Sequence, residues 1–346
     1  MVAIDKGRRL DLFQRRDIGF MFYWGITMVL RCFPLEFRLK HALATARLCA
    51  RLWISLALGE QSQITHNLLS LDEKLSKDNL SHIISSHYET HSWNFVVNDL
   101  LPHLNSSQIK SFSEVHGLKH LEGALDQGRG SVLLSAHFGA HAYIILAVLR
   151  AYGCPVKAVL GQELRPEGNA SRFYRKTIDP VRSSPRRVLP ILERGLVPPS
   201  DIAAPLKRNE ALFMLGDMHL TEKQVALERQ VLPVPFLWGT ATVRTGPMRL
   251  PKLLGVPVLP TFSVRRNDRV IVEIEEALNL SHGRGREDLA SDMRLYLKRL
   301  EKRIRLAPDQ WGHIRHENIP NWIRPCPVLG NTRIHPYKTK IGWRFR

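Results

Sequence analysis

The run SVLLSAHFGAHAYIILAVLRAYGCPVKAVLG, residues 131–161, constrains the fold more than any other stretch of the chain. Residues 131–136 are a short apolar run, the signature of a buried strand. Residues 142–153 are apolar at helical spacing. They end on Gly153 with Pro155 beyond, a normal helix stop. Residues 156–161 return to a strand-like run. Further strands are expected at 211–217, 256–264 and 269–278, and helices at 40–58, 64–103 and 114–130. In the second of these helices Ile83, Ile84, Tyr88 and Trp93 are spaced for one apolar face. A last helix, 288–306, has Leu289, Met293, Leu297, Leu300 and Ile304 along one side and cations along the other. Strands alternating with helices specify an α/β fold, a mixed sheet flanked by helices.

The N-terminal region has a different character. DIGFMFYWGITMVL (17–30) holds an uncharged run from Ile18 to Leu30, short of the ~20 residues that span a bilayer. Arg8, Arg9, Arg15 and Arg16 precede it, and Arg31, Arg38 and Lys40 follow, so charge gives no crossing direction. The pattern reads as an interfacial or re-entrant membrane anchor, with Phe22, Tyr23 and Trp24 suited to the headgroup zone. A buried helical hairpin is the alternative. The chain therefore divides into a membrane-associated helical segment (1–60), a large α/β domain (61–316) and a basic tail (317–346).

Composition narrows the partners. Fifty Lys and Arg against 32 Asp and Glu give a net charge of +18, which favours acidic carrier proteins, anionic lipid surfaces and phosphorylated ligands. Nucleic acid ranks last, because no recognition motif accompanies the charge and aromatics do not alternate with the cations. The four cysteines are far apart and form neither a zinc site nor a disulfide framework.

The first strand ends at His137, then Phe138-Gly139, then the next helix. This is how a chain delivers a histidine to the mouth of an α/β site. The stretch VHGLKHLEGALDQGRGSVLLSAHFGAHAY resembles the active-site opening of the lipid A biosynthesis late acyltransferases (lauroyl and myristoyl transferases) of the lysophospholipid acyltransferase-like superfamily. LKRNEALFMLGDMH, ending near Asp217, is similar to that family's strand-terminal acid. VPFLWGTATVRTGPMRLPKLLGVPVLPTF (234–262) follows its glycine and proline order, and APDQWGHIRH (307–316) resembles its Pro-Glu-Gln-Trp ending. The resemblance covers roughly residues 114–316 and implies a glycerolipid acyltransferase-like fold with an N-terminal apolar anchor.

It also implies a catalytic dyad. The family places an acid five positions after the histidine, so that the ring takes a proton from an acceptor hydroxyl while the carboxylate holds it. Here His137 matches but the acid position is Ala142. Substitute acids are Glu163, Asp217 and Glu222, with His141 the weakest substitute because a neutral imidazole offers no negative charge. Phe138, Gly139, His141, Arg182, Arg244 and Arg249 form the expected substrate side. Lys252 joins the arginines around Gly246-Pro247, Arg186 and Arg187 extend the cluster at Arg182, and Trp311 is expected to pack. The resemblance implies no metal or organic cofactor. It implies an acyl donor on acyl carrier protein or coenzyme A, a glycolipid or phospholipid acceptor, and an inner-membrane location with the catalytic domain facing the cytoplasm. The competing reading is an inactive relative that binds lipid, for which Ala142 is the motive.

Overall fold

A computed structural model describes residues 17–56, 58–161, 185, 188–194, 198–217, 230–315 and 323–325. In chain order the elements begin with five helices: α1 (Asp17–Leu30), α2 (Leu35–Lys40), α3 (Ala42–Leu56), α4 (Leu58–Leu71) and α5 (Lys77–Leu100). Next come α6 (Ser106–Ser111), β1 (Ser113–His116), α7 (Leu118–Leu125), β2 (Ser131–Ser135), α8 (Ala142–Ala151) and β3 (Val156–Gly161). Then follow β4 (Ile191–Arg194), α9 (Pro199–Lys207), β5 (Ala211–Leu215), β6 (Val231–Phe236), β7 (Gly239–Arg244) and α10 (Gly246–Leu254). β8 (Val258–Arg266), β9 (Arg269–Ile274), α11 (Arg286–Leu306) and β10 (Ile323–Pro325) complete the series.

Seven strands form the main sheet in the order β1-β9-β8-β2-β5-β3-β4. β2 is parallel to both neighbours, β8 and β5, and β3 is parallel to β5 and β4. β9 runs antiparallel to β8 and parallel to β1. The sheet is therefore mixed and has helices against it, the class expected from the sequence. β2 is buried at all five positions, as a strand covered on both faces must be. Each fully buried Leu or Val there contributes roughly 1.5–3 kcal/mol relative to exposure.

Several boundaries differ from the sequence reading. The helix expected over 64–103 is two helices, α4 and α5, with Ser76 capping the second through its hydroxyl to the Asn79 amide. The helix expected over 114–130 opens instead with β1, which pairs with β9 before α7 begins. The strand expected over 256–264 begins at Val258 and runs on to Arg266, and the one over 269–278 ends at Ile274. A second sheet, β10-β7-β6, has no counterpart among the expected elements. β6 carries Pro233 and Pro235, which an edge strand tolerates because the missing donors would face away from the ladder.

α1 is half-committed to the protein interior. Tyr23 is buried, not at a headgroup surface, and its hydroxyl donates to the Phe95 carbonyl at 3.0 Å. Phe20 meets Trp53 and Phe95 edge-on. Arg31 and Arg38 both bind Asp99 of α5, at 2.5 and 3.2 Å. The opposite side leaves Met21, Phe22, Trp24, Met28 and Val29 exposed, with Phe33 and Phe37 just beyond. Among the described residues no single helix is long and apolar enough to cross a membrane, and Ala42–Leu56 with Glu60–Leu71 reaches the length only as a pair bent by 96°.

α11 buries the face read from its spacing: Leu289, Met293, Leu297, Leu300 and Ile304 are all in the core. The chain after it, residues 307–315, is the structural link between the N-terminal helices and the end of β2. Ser86 and His87 of α5 hold Asp309 through its carboxylate and carbonyl, at 2.7 and 2.9 Å. Asn67 of α4 donates to the Ile314 carbonyl at 2.6 Å. Gln310 exchanges hydrogen bonds with the Arg265 backbone on β8.

Candidate active site

β2 and β5 are neighbours in register, with Ser135 opposite Leu215. Two residues further along each strand stand His137 and Asp217, side by side at the carboxyl edge of the parallel strands. Open α/β sheets form their sites at this edge.

Asp217 is completely buried and is the acid that holds His137. Its Oδ1 lies 2.9 Å from His137 Nδ1, and its Oδ2 accepts the His137 backbone N–H at 2.8 Å. A third partner comes from 307–315. His313 Nε2 sits 2.9 Å from the Asp217 carbonyl oxygen and 3.4 Å from Oδ2. Burial alone would raise the Asp217 carboxyl. Hydrogen bonds from the two imidazoles, and the charge either ring carries when protonated, overcome it and hold the group well below the usual carboxylate range. A carboxylate ionised at neutral pH requires Nδ1 of neutral His137 to carry the ring proton. Nε2 is then bare, on a side chain that is 33% exposed. A buried acid on Nδ1 and an open Nε2 is the arrangement of a general base.

The turn that aims His137 is tied on three sides. Gly139 N–H donates to the Gln310 carbonyl, and Gly312 N–H donates to the His137 carbonyl, so Phe138 and Trp311 form an isolated antiparallel bridge. Asn94 of α5 donates to the Gly139 carbonyl and accepts from the His141 N–H. Ser263 of β8 donates to the Phe138 carbonyl and accepts from the Ala140 N–H. Gly139 takes φ of +68°, and a Cβ there would lie 2.2 Å from the Ser263 carbonyl oxygen.

The sequence-derived candidates divide cleanly. His137 and Asp217 come together, and Asp217 places a carboxylate on His137 Nδ1, where Ala142 offers none. Ala142 is the half-buried first residue of α8. His141 precedes it as the N-cap, with its ring against Tyr143 at 5.5 Å, so it does not replace the acid on His137 Nδ1. Phe138 is buried beneath the turn. Arg244 ends β7 and Arg249 lies exposed on α10, whereas the ionisable groups that bear on Asp217 are the rings of His137 and His313. Lys252 is not available to phosphate: it is buried, bonded to Ser281 at 2.8 Å and paired with Asp292. Trp311 packs, fully buried. Glu163, Arg182, Arg186, Arg187 and Glu222 lie outside the described residues. Asn94, Ser263 and His313 are absent from the sequence-derived candidates. His313 stands inside APDQWGHIRH, but nothing in spacing marks it as a partner of a residue at the end of β5.

His137, Asp217 and His313 each offer a ligand atom, all within 4.8 Å of one another. Here His137 Nδ1 is bonded to Asp217 Oδ1 and His313 Nε2 to the Asp217 carbonyl oxygen, so each imidazole proton points at Asp217.

The buried histidines make the fold acid-sensitive. Burial, with Arg315 nearby, brings His87 from 6.5 down to about 4 despite its bond to the Asp309 carbonyl. His313 is lowered too, by burial that outweighs its attraction to Asp217. Between the folded and unfolded values the unfolded chain binds the extra proton, so stability rises with pH. The His87 contribution is complete above pH 6.5 and is lost as the pH falls toward 4. Urea titrations should show stability lower by about 3 kcal/mol near pH 4 than at pH 7.5, from 1.36 kcal/mol per unit. His87→Leu should flatten that slope, and an equally steep slope in the variant would contradict the assignment.

A family model described as "Bacterial lipid A biosynthesis acyltransferase" matches residues 8–317. The chain is 26% identical over 225 residues to a phosphatidylinositol mannoside acyltransferase of Mycolicibacterium smegmatis, covering 64% of this chain and 66% of that protein. It is 25% identical over 210 residues to a phosphatidylinositol mannoside acyltransferase of Mycobacterium tuberculosis, with 60% of each chain covered. The match thus spans under two thirds of the length of these relatives.

Proposed function

The chain belongs to the bacterial lipid A biosynthesis acyltransferase family, and from that premise we propose that it transfers a fatty acyl group from a thioester to a hydroxyl of a glycolipid. The observation that carries the reading is Asp217 Oδ1 at 2.9 Å from His137 Nδ1, which in the neutral ring puts the proton on Nδ1 and leaves Nε2 to accept one. The acceptor O–H gives its proton to His137 Nε2 as its oxygen attacks the thioester carbonyl. Asp217 stabilises the imidazolium that results. The tetrahedral centre collapses with cleavage of the C–S bond, and the departing sulfur takes the proton back from Nε2. The inactive-relative reading loses its motive, since the acid missing at Ala142 is supplied from the end of β5.

The acceptor is a glycolipid in this proposal because the curated relatives are named for a mannosylated inositol lipid. Acyl carrier protein suits the +18 charge as the donor vehicle, with coenzyme A as the other thioester class. The site works at the cytoplasmic face of the inner membrane, where the exposed side of α1 meets the bilayer. Replacing Phe22, Met28 and Val29 by Glu should release the folded protein from anionic vesicles, because those side chains are exposed while Tyr23 and Phe20 keep the helix in place. Unchanged sedimentation would remove α1 as the contact. The test of the function is direct: the purified chain is given acyl-carrier-protein and coenzyme A thioesters with phosphatidylinositol mannosides and lipid A precursors in detergent. Acyl transfer to one acceptor class supports the proposal, and no transfer from either donor to any of them overturns it.

A further inference from the structure

We propose that His313 is a positioning residue for this chemistry, a neutral donor that fixes Asp217 so that its carboxylate keeps the ring proton of His137 on Nδ1. The inference rests on the acyltransferase reading for its kinetic consequence, but not for its structural one. The Asp217 carbonyl can only accept, so the 2.9 Å contact places a proton on His313 Nε2. The same N–H lies 3.4 Å from Oδ2, the oxygen that also receives the His137 backbone N–H. Oδ2 and the main chain of Asp217 are thereby held from one side, which leaves Oδ1 facing Nδ1. The two rings are 4.6 Å apart and tilted by 53°, so His313 backs the dyad from within the protein while His137 opens outward.

The backing residue is itself over-determined. Its neighbour Gly312 donates to the His137 carbonyl, and its other neighbour Ile314 is held by Asn67. Burial lowers the His313 imidazole, outweighing its attraction to Asp217, and so favours the neutral ring. That neutrality matters, because a buried lysine or arginine in its place would compete for the charge that Asp217 must offer to the imidazolium. A neutral N–H orients the carboxylate and leaves that charge for His137.

The test uses the full chain labelled with ¹⁵N-histidine. In the wild type, neutral His137 should show a single Nδ1–H tautomer. His313→Leu, which fills the space but cannot donate, should give a mixture with the Nε2–H form. Its kcat should fall roughly 10- to 100-fold, by analogy with lost outer partners of metal-bound histidines, with KM nearly unchanged. His313→Gln, whose amide reaches the Nε2 position, should restore the tautomer and most of kcat. Should the leucine variant fail to fold, His313→Met gives the same comparison with a more adaptable side chain. Wild-type tautomer and turnover in the apolar variants would overturn the proposal, as would a loss that His313→Gln does not recover. If the wild type transfers no acyl group, the function proposal fails, and the tautomer measurement still decides the role of His313.

Discussion

Asp217→Asn should lower acyl transfer by about 10⁴-fold, about 5 kcal/mol, while leaving the protein folded and able to bind lipid. The reason is a tautomer forced by the site. Oδ2 faces two donors, the His137 backbone N–H and His313 Nε2–H, so the oxygen of an introduced amide must settle there. Its NH₂ group then faces His137 Nδ1 in place of Oδ1. A donor opposite Nδ1 requires a bare Nδ1, which moves the ring proton to Nε2. The atom that should take the acceptor proton now carries one. The same exchange in a Ser-His-Asp triad costs about 10⁴. His137→Ala should be at least as inactive. Ala142→Glu, which restores the family spacing, should leave turnover within a few-fold of wild type, because Nδ1 is already taken. A large gain from Ala142→Glu, or near-normal rates in Asp217→Asn, would break the account.

The two halves of this dyad are unequally visible in the sequence. His137 is marked because local rules suffice: an apolar strand, a glycine turn and a helix with a normal stop follow one another. Asp217 stands at a strand end, but so do other residues. Its role depends on which strand lies beside β2, and chain order points to the wrong one. β3 follows β2 in sequence, yet β5 sits between them. A crossover of this kind is set by packing across the whole sheet, which no local periodicity records. The second sheet is hidden for a different reason. Two prolines in β6 contradict a strand reading unless the strand is known to be an edge. Tyr23 goes to the interior rather than to the headgroup zone, and the sequence misleads there because its helix is apolar on both sides. Composition alone does not say which side meets α5 and which faces outward. The amphipathic α11 has no such ambiguity, and its buried face is legible residue by residue.

Gly139→Ala should destabilise the protein by up to about 5 kcal/mol and abolish acyl transfer well below the melting temperature. Two costs combine. A non-glycine residue at φ +68° pays about 1–2 kcal/mol for left-handed backbone. The new Cβ would also lie 2.2 Å from the Ser263 carbonyl oxygen, a backbone atom that cannot swing aside, and overpacking of that kind costs about 1–3 kcal/mol. Relief requires the turn to move away from β8. That breaks the Ser263 bonds to Phe138 and Ala140 and strains the bridge between Phe138 and Trp311. His137 is the residue immediately before this bridge, and its carbonyl is held by Gly312. A shift of the turn therefore moves the base relative to Asp217, and a misplacement near 1 Å is enough to cost about 10²-fold in rate. Gly123→Ala is the matched control. Gly123 lies inside α7, and a methyl group added there would meet nothing within 4 Å. Alanine at that position should stabilise by up to about 1 kcal/mol through helix propensity, with activity unchanged. Thermal melts and acyl-transfer rates on the two variants separate the effects. A Gly139→Ala protein with wild-type melting and turnover would show that the Ser263 contact does not fix the turn.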